Sequence, residues 1–495
     1  MHETARFHIK ALHGITGSVG NLVFFVFDVL VLFYYQRVLG LSGVLTGVAI
    51  LVSVIVDAIT DPIIGEWSDR LRARFGRRHT LMFGSVLPMG VFCVLLFLPP
   101  ANLPQAGLFA WLLLALVGMR VMLTFFDAPA GAVTAEVAAR PADRAEMGIY
   151  RQLAGTLAYL GVVYVAFGVF FAATEAFPTG QENPEAYAPL GFVIAGALIL
   201  FMVVAAAGTY RHIRSFERTL APASKATVNV RETLLAWLEL ILKIRNTRAL
   251  FFGLFLATTM GSCIRALNIH FGTYLWGLRQ STVDLGFLQM GQMELWQQAF
   301  PIGMLAAVIG ARFIVTRTEP KYVYLGGYCM LLSTYVLPLF LTLANVMPAS
   351  GSDQLAILLA SFHAATGAGA GLIMICSVVM FSETTDEYFF VKNISRTALI
   401  LALVPFGAKI ASGIGKSFSG LLLDWVGFPS VESGAAVTPD VVRTLALYAG
   451  VFCSVAGLGG LAMFFTFRLT RDRHREILSG LRERENLAQG TAPAT

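Results

Sequence analysis

Long apolar runs alternate with short polar segments along almost the whole chain. A helix needs roughly 20 mostly apolar residues to cross the hydrocarbon of a bilayer. Measured against that length, the pattern predicts spans over residues 15–38, 43–65, 80–99, 107–137, 148–173, 188–210, 249–275, 286–314, 322–344, 355–382, 397–424 and 443–467. That is an all-α membrane protein of twelve transmembrane helices. The eighth differs from the others: its first half, LGFLQMGQMELWQQAF, is polar for a segment facing lipid.

The polar segments carry charge unevenly, and Lys and Arg concentrate on the cytoplasmic side of a membrane protein. One set of connections holds Arg70, Arg72, Arg74, Arg77 and Arg78, then Arg140 and Arg144, then Arg211, Arg214, Arg218 and Lys225. The same set continues with Arg312, Arg317 and Lys321, and ends with Arg471, Arg473 and Arg475. The opposite set holds Arg37, Arg279 and Arg443. Both termini are therefore expected in the cytoplasm, and the unbroken alternation supports the eighth span. The longest internal connection divides the chain into a first six-helix half (1–210), a linker (211–248), a second six-helix half (249–467) and a cytoplasmic tail (468–495). A six-plus-six plan around a midplane site is common in secondary transporters. The basic turns DRLRARFGRRHTL and ARFIVTRTEPKYVYL fall at corresponding places in the two halves, although tight cytoplasmic turns are basic in general.

Composition agrees. Of 495 residues, 56% are hydrophobic and 13% charged, with a mean hydropathy of +0.70; a soluble chain has about a quarter of its residues charged. The net charge of +6 sits in short turns rather than in a basic patch, which argues against a nucleic-acid partner. Cys93, Cys263, Cys329, Cys376 and Cys453 fall in apolar stretches without metal-ligand spacing and read as small buried hydrophobes. Residues 1–13 are polar and the apolar run behind them is too long for a signal core, so no cleavable leader is expected. No nucleophile elbow, H-E-x-x-H or Gly-rich phosphate loop is present, and no enzyme is expected.

Charges inside spans are costly and mark functional groups. Asp57 and Asp61 are four apart and share a helix face, with Thr60 beside them. Two carboxylates and a hydroxyl are hard oxygen ligands suited to Na⁺, Li⁺ or a proton. On the fourth span Arg120, Thr124 and Asp127 form one stripe. Arg120 lies at a depth close to Asp28 and Asp57, so a salt bridge to one of them is expected, either as a structural pair or as a group that also binds an anionic substrate. The second half buries Arg265, Glu294, His363, Lys409 and Lys416. Arg265 and Glu294 are expected to neutralise each other, His363 to be hydrogen-bonded packing, and Lys409 to pair with a carboxylate of the second span. SETTDEY at 382–388 reads as an acidic connection facing the basic turns, and the tail as a short charged helix.

The stretch 57–84, DAITDPIIGEWSDRLRARFGRRHTLMFG, resembles the signature of the glycoside–pentoside–hexuronide:cation symporters, the melibiose-permease branch of the major facilitator superfamily. TFFDAP, YRQLAG and the lysine of GAKIASG match further blocks of that family, in order. The resemblance implies the major facilitator fold and cation-coupled symport of a small organic solute, a glycoside or related anionic compound. It implies a coupling-cation site at Asp57, Thr60, Asp61 and Thr124, with Na⁺ or H⁺ and no other cofactor, and sugar-binding roles for Asp127 and Arg151. It also implies a gating loop at Asp69, Arg70, Arg74, Gly76, Arg77 and Arg78. Asn21 and Gly131 depart from the pattern, standing where the family has an acidic residue and a tryptophan for the sugar ring. With Asp28, Arg120 and Lys409 near them, these positions point away from a plain galactoside and toward an anionic glycoside or amphiphile. D-A-I-T-D-P also resembles sodium-dependent lysophosphatidylcholine symporters, so a lysolipid carrier or an efflux antiporter are the alternatives. A monomer in the cell inner membrane, contacting substrate, cation and lipid, is expected.

Overall fold

The computed structural model describes residues 7–71, 75–137, 141–217, 230–278, 282–284, 286, 289–315, 317–392 and 397–488. The helices are α1 (Phe7–Gly14), α2 (Thr16–Phe25), α3 (Gly43–Arg70), α4 (His79–Phe97), α5 (Gln105–Val137), α6 (Pro141–Val163), α7 (Tyr187–Glu217) and α8 (Val230–Lys243). They continue as α9 (Arg245–Ala266), α10 (Asn268–His270), α11 (Gln292–Val315), α12 (Pro320–Leu343), α13 (Asp353–Lys392), α14 (Thr397–Trp425), α15 (Pro439–Phe464) and α16 (Arg471–Ala488). Beyond α2 the chain stays helical through π-type turns to Val38.

Among the described residues, ten helical segments are long and apolar enough to cross a membrane. The eighth and eleventh expected spans, α11 and α14, are helices of 24 and 29 residues outside that ten. Gln292, Glu294 and Gln297 on α11 and Lys416 on α14 are buried against protein, and Lys409 on α14 is half-buried. Leu87, Leu157 and Val455, by contrast, are each 68% exposed, as side chains facing lipid tails are.

The helices before residue 218 meet those after 230 along two seams, α3 against α14 and α6 against α11. Small residues let the first seam close until backbones touch. A Cβ on Gly420 would lie 2.0 Å from the Gly43 carbonyl oxygen, and one on Gly47 would lie 2.7 Å from that of Ser417. This contact lays the polar face of α14 against that of α3. Pro62, Pro129 and Pro405 lie inside helices, as neighbouring helices permit in membranes.

Three expectations change. The eighth helix begins at Gln292 rather than 286, because Thr282–Asp284 (β1) pairs antiparallel with Gln289–Gly291 (β2), Val283 opposite Met290. SETTDEY is not a connection: α13 runs through it to Lys392, and Asp386 and Glu387 bind His474 and Asn246. Cys329 is exposed on α12, whereas the other four cysteines are buried. The tail is helical in α16, which docks on α13 through Arg484 over the Phe390 ring. The polar residues 1–6 and residues 489–495 lie outside the described residues.

Candidate substrate and cation site

The helical period puts Asp57 and Asp61 one turn apart on α3, and the α3–α5 contact brings Thr124 of α5 to both. The Thr124 hydroxyl lies 2.9 Å from Asp57 Oδ1 and 2.9 Å from Asp61 Oδ1. It has one hydrogen to donate, so it serves one carboxylate at a time. Across the α3–α14 seam, Lys409 Nζ lies 2.9 Å from Asp57 Oδ2 and also donates to Asp61 Oδ2. The ammonium thus occupies the point where the two carboxylates converge. Asp57 is 2% exposed, whereas the side chains of Asp61 and Lys409 are 39% and 32% exposed. The pair forms the open edge of a buried cluster.

Arg120 completes that cluster from α5. Its NH1 lies 3.5 Å from Asp57 Oδ2, its Nε donates to Ser53 Oγ at 2.9 Å, and its guanidinium stacks on the Phe27 ring. Of the two expected partners it takes Asp57. Asp28 is held instead by Lys416 of α14 and by Arg265 Nε of α9 at 3.0 Å. Arg265 and Glu294 do not neutralise each other: Arg265 reaches back to α2's continuation, while Glu294 accepts from Gln298 and lies near Gly168. His363 donates from Nδ1 to the Trp296 carbonyl at 2.7 Å, hydrogen-bonded packing as expected.

The remaining expected residues fall in a second group. Arg151 on α6 donates to Asp127 on α5 at 2.5 Å, with side chains 38% and 49% exposed. A Cβ on Gly131 would meet nothing within 4 Å, so the place of a stacking ring is open. Asn21 packs on Gly155, whose added Cβ would lie 2.0 Å from its Nδ2. Thr60 donates to the main-chain oxygen of Asp57 at 3.1 Å, so Thr124 rather than Thr60 is the hydroxyl that reaches both carboxylates. In the expected gating loop, Gly76 has φ +86°, a left-handed turn that favours glycine, and Arg78 donates to Ser68 at 3.3 Å. Arg77 follows that turn. Arg74 and the side chains of Asp69 and Arg70 lie outside the described residues.

Sequence reasoning missed a third group. Arg37 donates to Glu182 Oε1 at 2.5 Å and to the Pro429 carbonyl at 2.7 Å, and Tyr274 donates to the same carboxylate. Val431 N–H donates to the Arg37 carbonyl at 2.7 Å. This knot ties the end of the first span to segments from both parts of the chain. Its one signal was Arg37 as a lone charge on the side poor in Lys and Arg.

Comparison with known proteins agrees with this architecture. Residues 12–471 match the family model described as MFS/sugar transport protein. The chain is 25% identical to an uncharacterized symporter of Bacillus subtilis, covering 86% of each. It is 22% identical to an isoprimeverose transporter of Lactiplantibacillus pentosus, covering 90% of this chain and 85% of that one. It is also 22% identical to a glucuronide carrier protein homolog of Escherichia coli, covering 96% and 95%. In fold it is similar to the xylose transporter of E. coli in an inward open conformation, with a TM-score of 0.56 at 13% identity over 96% of this chain and 98% of that one.

Proposed function

The chain belongs to the MFS/sugar transport protein family and is a cation-coupled symporter of the glycoside–pentoside–hexuronide type, not an enzyme; we propose that it carries a glycoside or related anionic compound, using Asp57, Asp61 and Thr124 as the coupling-cation site. The observation that carries this reading is Lys409 between the two carboxylates. An ammonium and a Na⁺ or H⁺ compete for the same oxygens, so cation binding releases α14 from α3 at the site while the glycine contacts keep the helices together. Substrate occupies the open space beside Asp127, Arg151 and Gly131.

The Arg37 knot closes the side away from the basic turns, so this arrangement faces the cytoplasm. Alternating access then breaks that knot and closes the other side through the turn containing Gly76, Arg77 and Arg78. In this reading α11 and α14 span the membrane with the other ten segments, making two six-helix halves joined by the 211–248 linker. Both termini are cytoplasmic, and the protein is a monomer in the plasma membrane. Relatives named for isoprimeverose and glucuronide support a glycoside as the solute.

The test is thermal stabilisation of purified protein by a panel of glycosides with and without Na⁺, since a ligand of the native state raises apparent stability by RT ln(1 + [L]/Kd). Stabilisation by a glycoside that grows with Na⁺ or falling pH is the expected result. A panel in which no glycoside stabilises the protein overturns the reading.

A further inference from the structure

Arg120 was the expected anion-binding group, but Asp57 offsets its charge, with Ser53 and the Phe27 ring against the guanidinium. The charge balance of the two buried clusters points elsewhere. Around Asp57 and Asp61, two carboxylates meet two cations, Arg120 and Lys409. Around Asp28, a single carboxylate meets two cations, Arg265 and Lys416. Among the described residues, Asp28 is the one carboxylate that reaches either of them. A buried positive charge without a counter-ion is costly, and a bound anion relieves it.

Arg265 is the member of that cluster open to a ligand. Its side chain is 16% exposed against 3% for Lys416. Its Nε donates to Asp28, one terminal nitrogen to the Tyr335 hydroxyl at 3.2 Å and the other to Ser262 Oγ at 3.0 Å. A guanidinium has five N–H groups. One hydrogen on each terminal nitrogen therefore remains without a partner among the described residues, two donors for the oxygens of a carboxylate, sulfonate or phosphate. Phe24 of α2 packs against this guanidinium, its ring centroid 5.5 Å from the Arg265 Cζ. Asn21 and Phe24, three apart on α2, are both partly exposed, so one face leads from the sugar-site position to Arg265.

We propose that Arg265, supported by Tyr335 and by the excess charge of Lys416, binds the anionic group of the substrate, so that the transported solute is an acidic glycoside held between Arg265 and the Asp127–Arg151 pair. The inference rests on the glycoside reading above.

The experiment measures binding of para-nitrophenyl β-D-glucuronide and para-nitrophenyl β-D-glucoside, which differ in a carboxylate against a hydroxymethyl, to purified native protein and to variants. The native protein is expected to prefer the glucuronide by about tenfold or more, the scale of a charge-assisted hydrogen-bonded pair. Arg265→Gln is expected to bring the two within about threefold. Arg265→Lys, which keeps the charge but loses the guanidinium, is expected to fall between them, and it carries the test if the glutamine variant does not fold. A glucuronide preference that survives these substitutions, or a native protein that does not discriminate, overturns the anion site and leaves the glycoside reading standing. Binding of neither compound overturns both.

Discussion

Lys409 on α14 donates to the carboxylate of Asp61 on α3, joining residues 348 positions apart in the chain. The same ammonium lies 2.9 Å from Asp57 Oδ2. One of the two cations that offset Asp57 and Asp61 thus comes from the second part of the chain, and the other, Arg120, from the first. Any cation that takes those oxygens must displace a side chain on the far side of the seam, which links ion binding to the relation between the two sets of helices.

Asp57→Asn keeps the shape and removes the charge. Uptake into proteoliposomes with an imposed Na⁺ or H⁺ gradient is expected to reach equilibration only, with no accumulation, while the protein remains monodisperse. Accumulation against a gradient by this variant would rule Asp57 out as the coupling ligand.

Lys409→Met leaves Asp57 and Asp61 facing each other without the ammonium. Stability without Na⁺ is expected to fall by about 1–3 kcal/mol, the cost of an unsatisfied buried polar group. The stabilisation given by Na⁺ is expected to grow, because its competitor is gone. An unchanged Na⁺ response in thermal unfolding would count against the shared site.

Arg120→Gln separates the two clusters. Because Arg120 holds Asp57 and Ser53, its loss is expected to disturb Na⁺-dependent stabilisation and to leave the preference for an acidic over a neutral glycoside in place. Loss of that preference with intact cation response would move the anion site back to Arg120.

Glu182→Gln cuts the knot to Arg37 and Tyr274. A hydrogen bond to a charged group contributes about 1.5–3 kcal/mol, and about 1.4 kcal/mol is tenfold in an equilibrium. A cysteine at position 131 in a cysteine-free background is therefore expected to react at least about tenfold faster with an impermeant thiol reagent added from outside. An unchanged rate would show that the knot does not hold the outer side shut.

Cysteines at positions 183 and 225 test the topology. Position 183 is expected to label from outside, and position 225 and the C-terminus from the cytoplasm. Labelling of 183 from the cytoplasm would overturn the span count before it.

Helix spans and the residues that share a helix face were legible because both follow from local rules. An apolar run of fixed length crosses lipid whatever its neighbours are, and a 3.6-residue period puts Asp57 with Asp61, and Arg120 with Thr124, on common faces. What the pattern blurs is where polarity is spent on protein rather than water. The start of α11 was read too early because its approach is a β-hairpin, and SETTDEY was read as a connection because acidic residues at the end of α13 resemble one.

The sequence by itself therefore determined a polytopic helical transporter, its family, and the carboxylates, hydroxyls and cations that populate its interior. Only the tertiary structure decided who meets whom. Arg265 took Asp28 rather than Glu294, Arg120 took Asp57 rather than Asp28, and Lys409 took both Asp57 and Asp61. Periodicity assigns a side chain to a face, but its partner depends on which helix crosses that face, at what rotation and how closely. Here backbone contacts such as Gly43 with Gly420 set that approach, and they join positions too far apart in the chain for any local pattern to register.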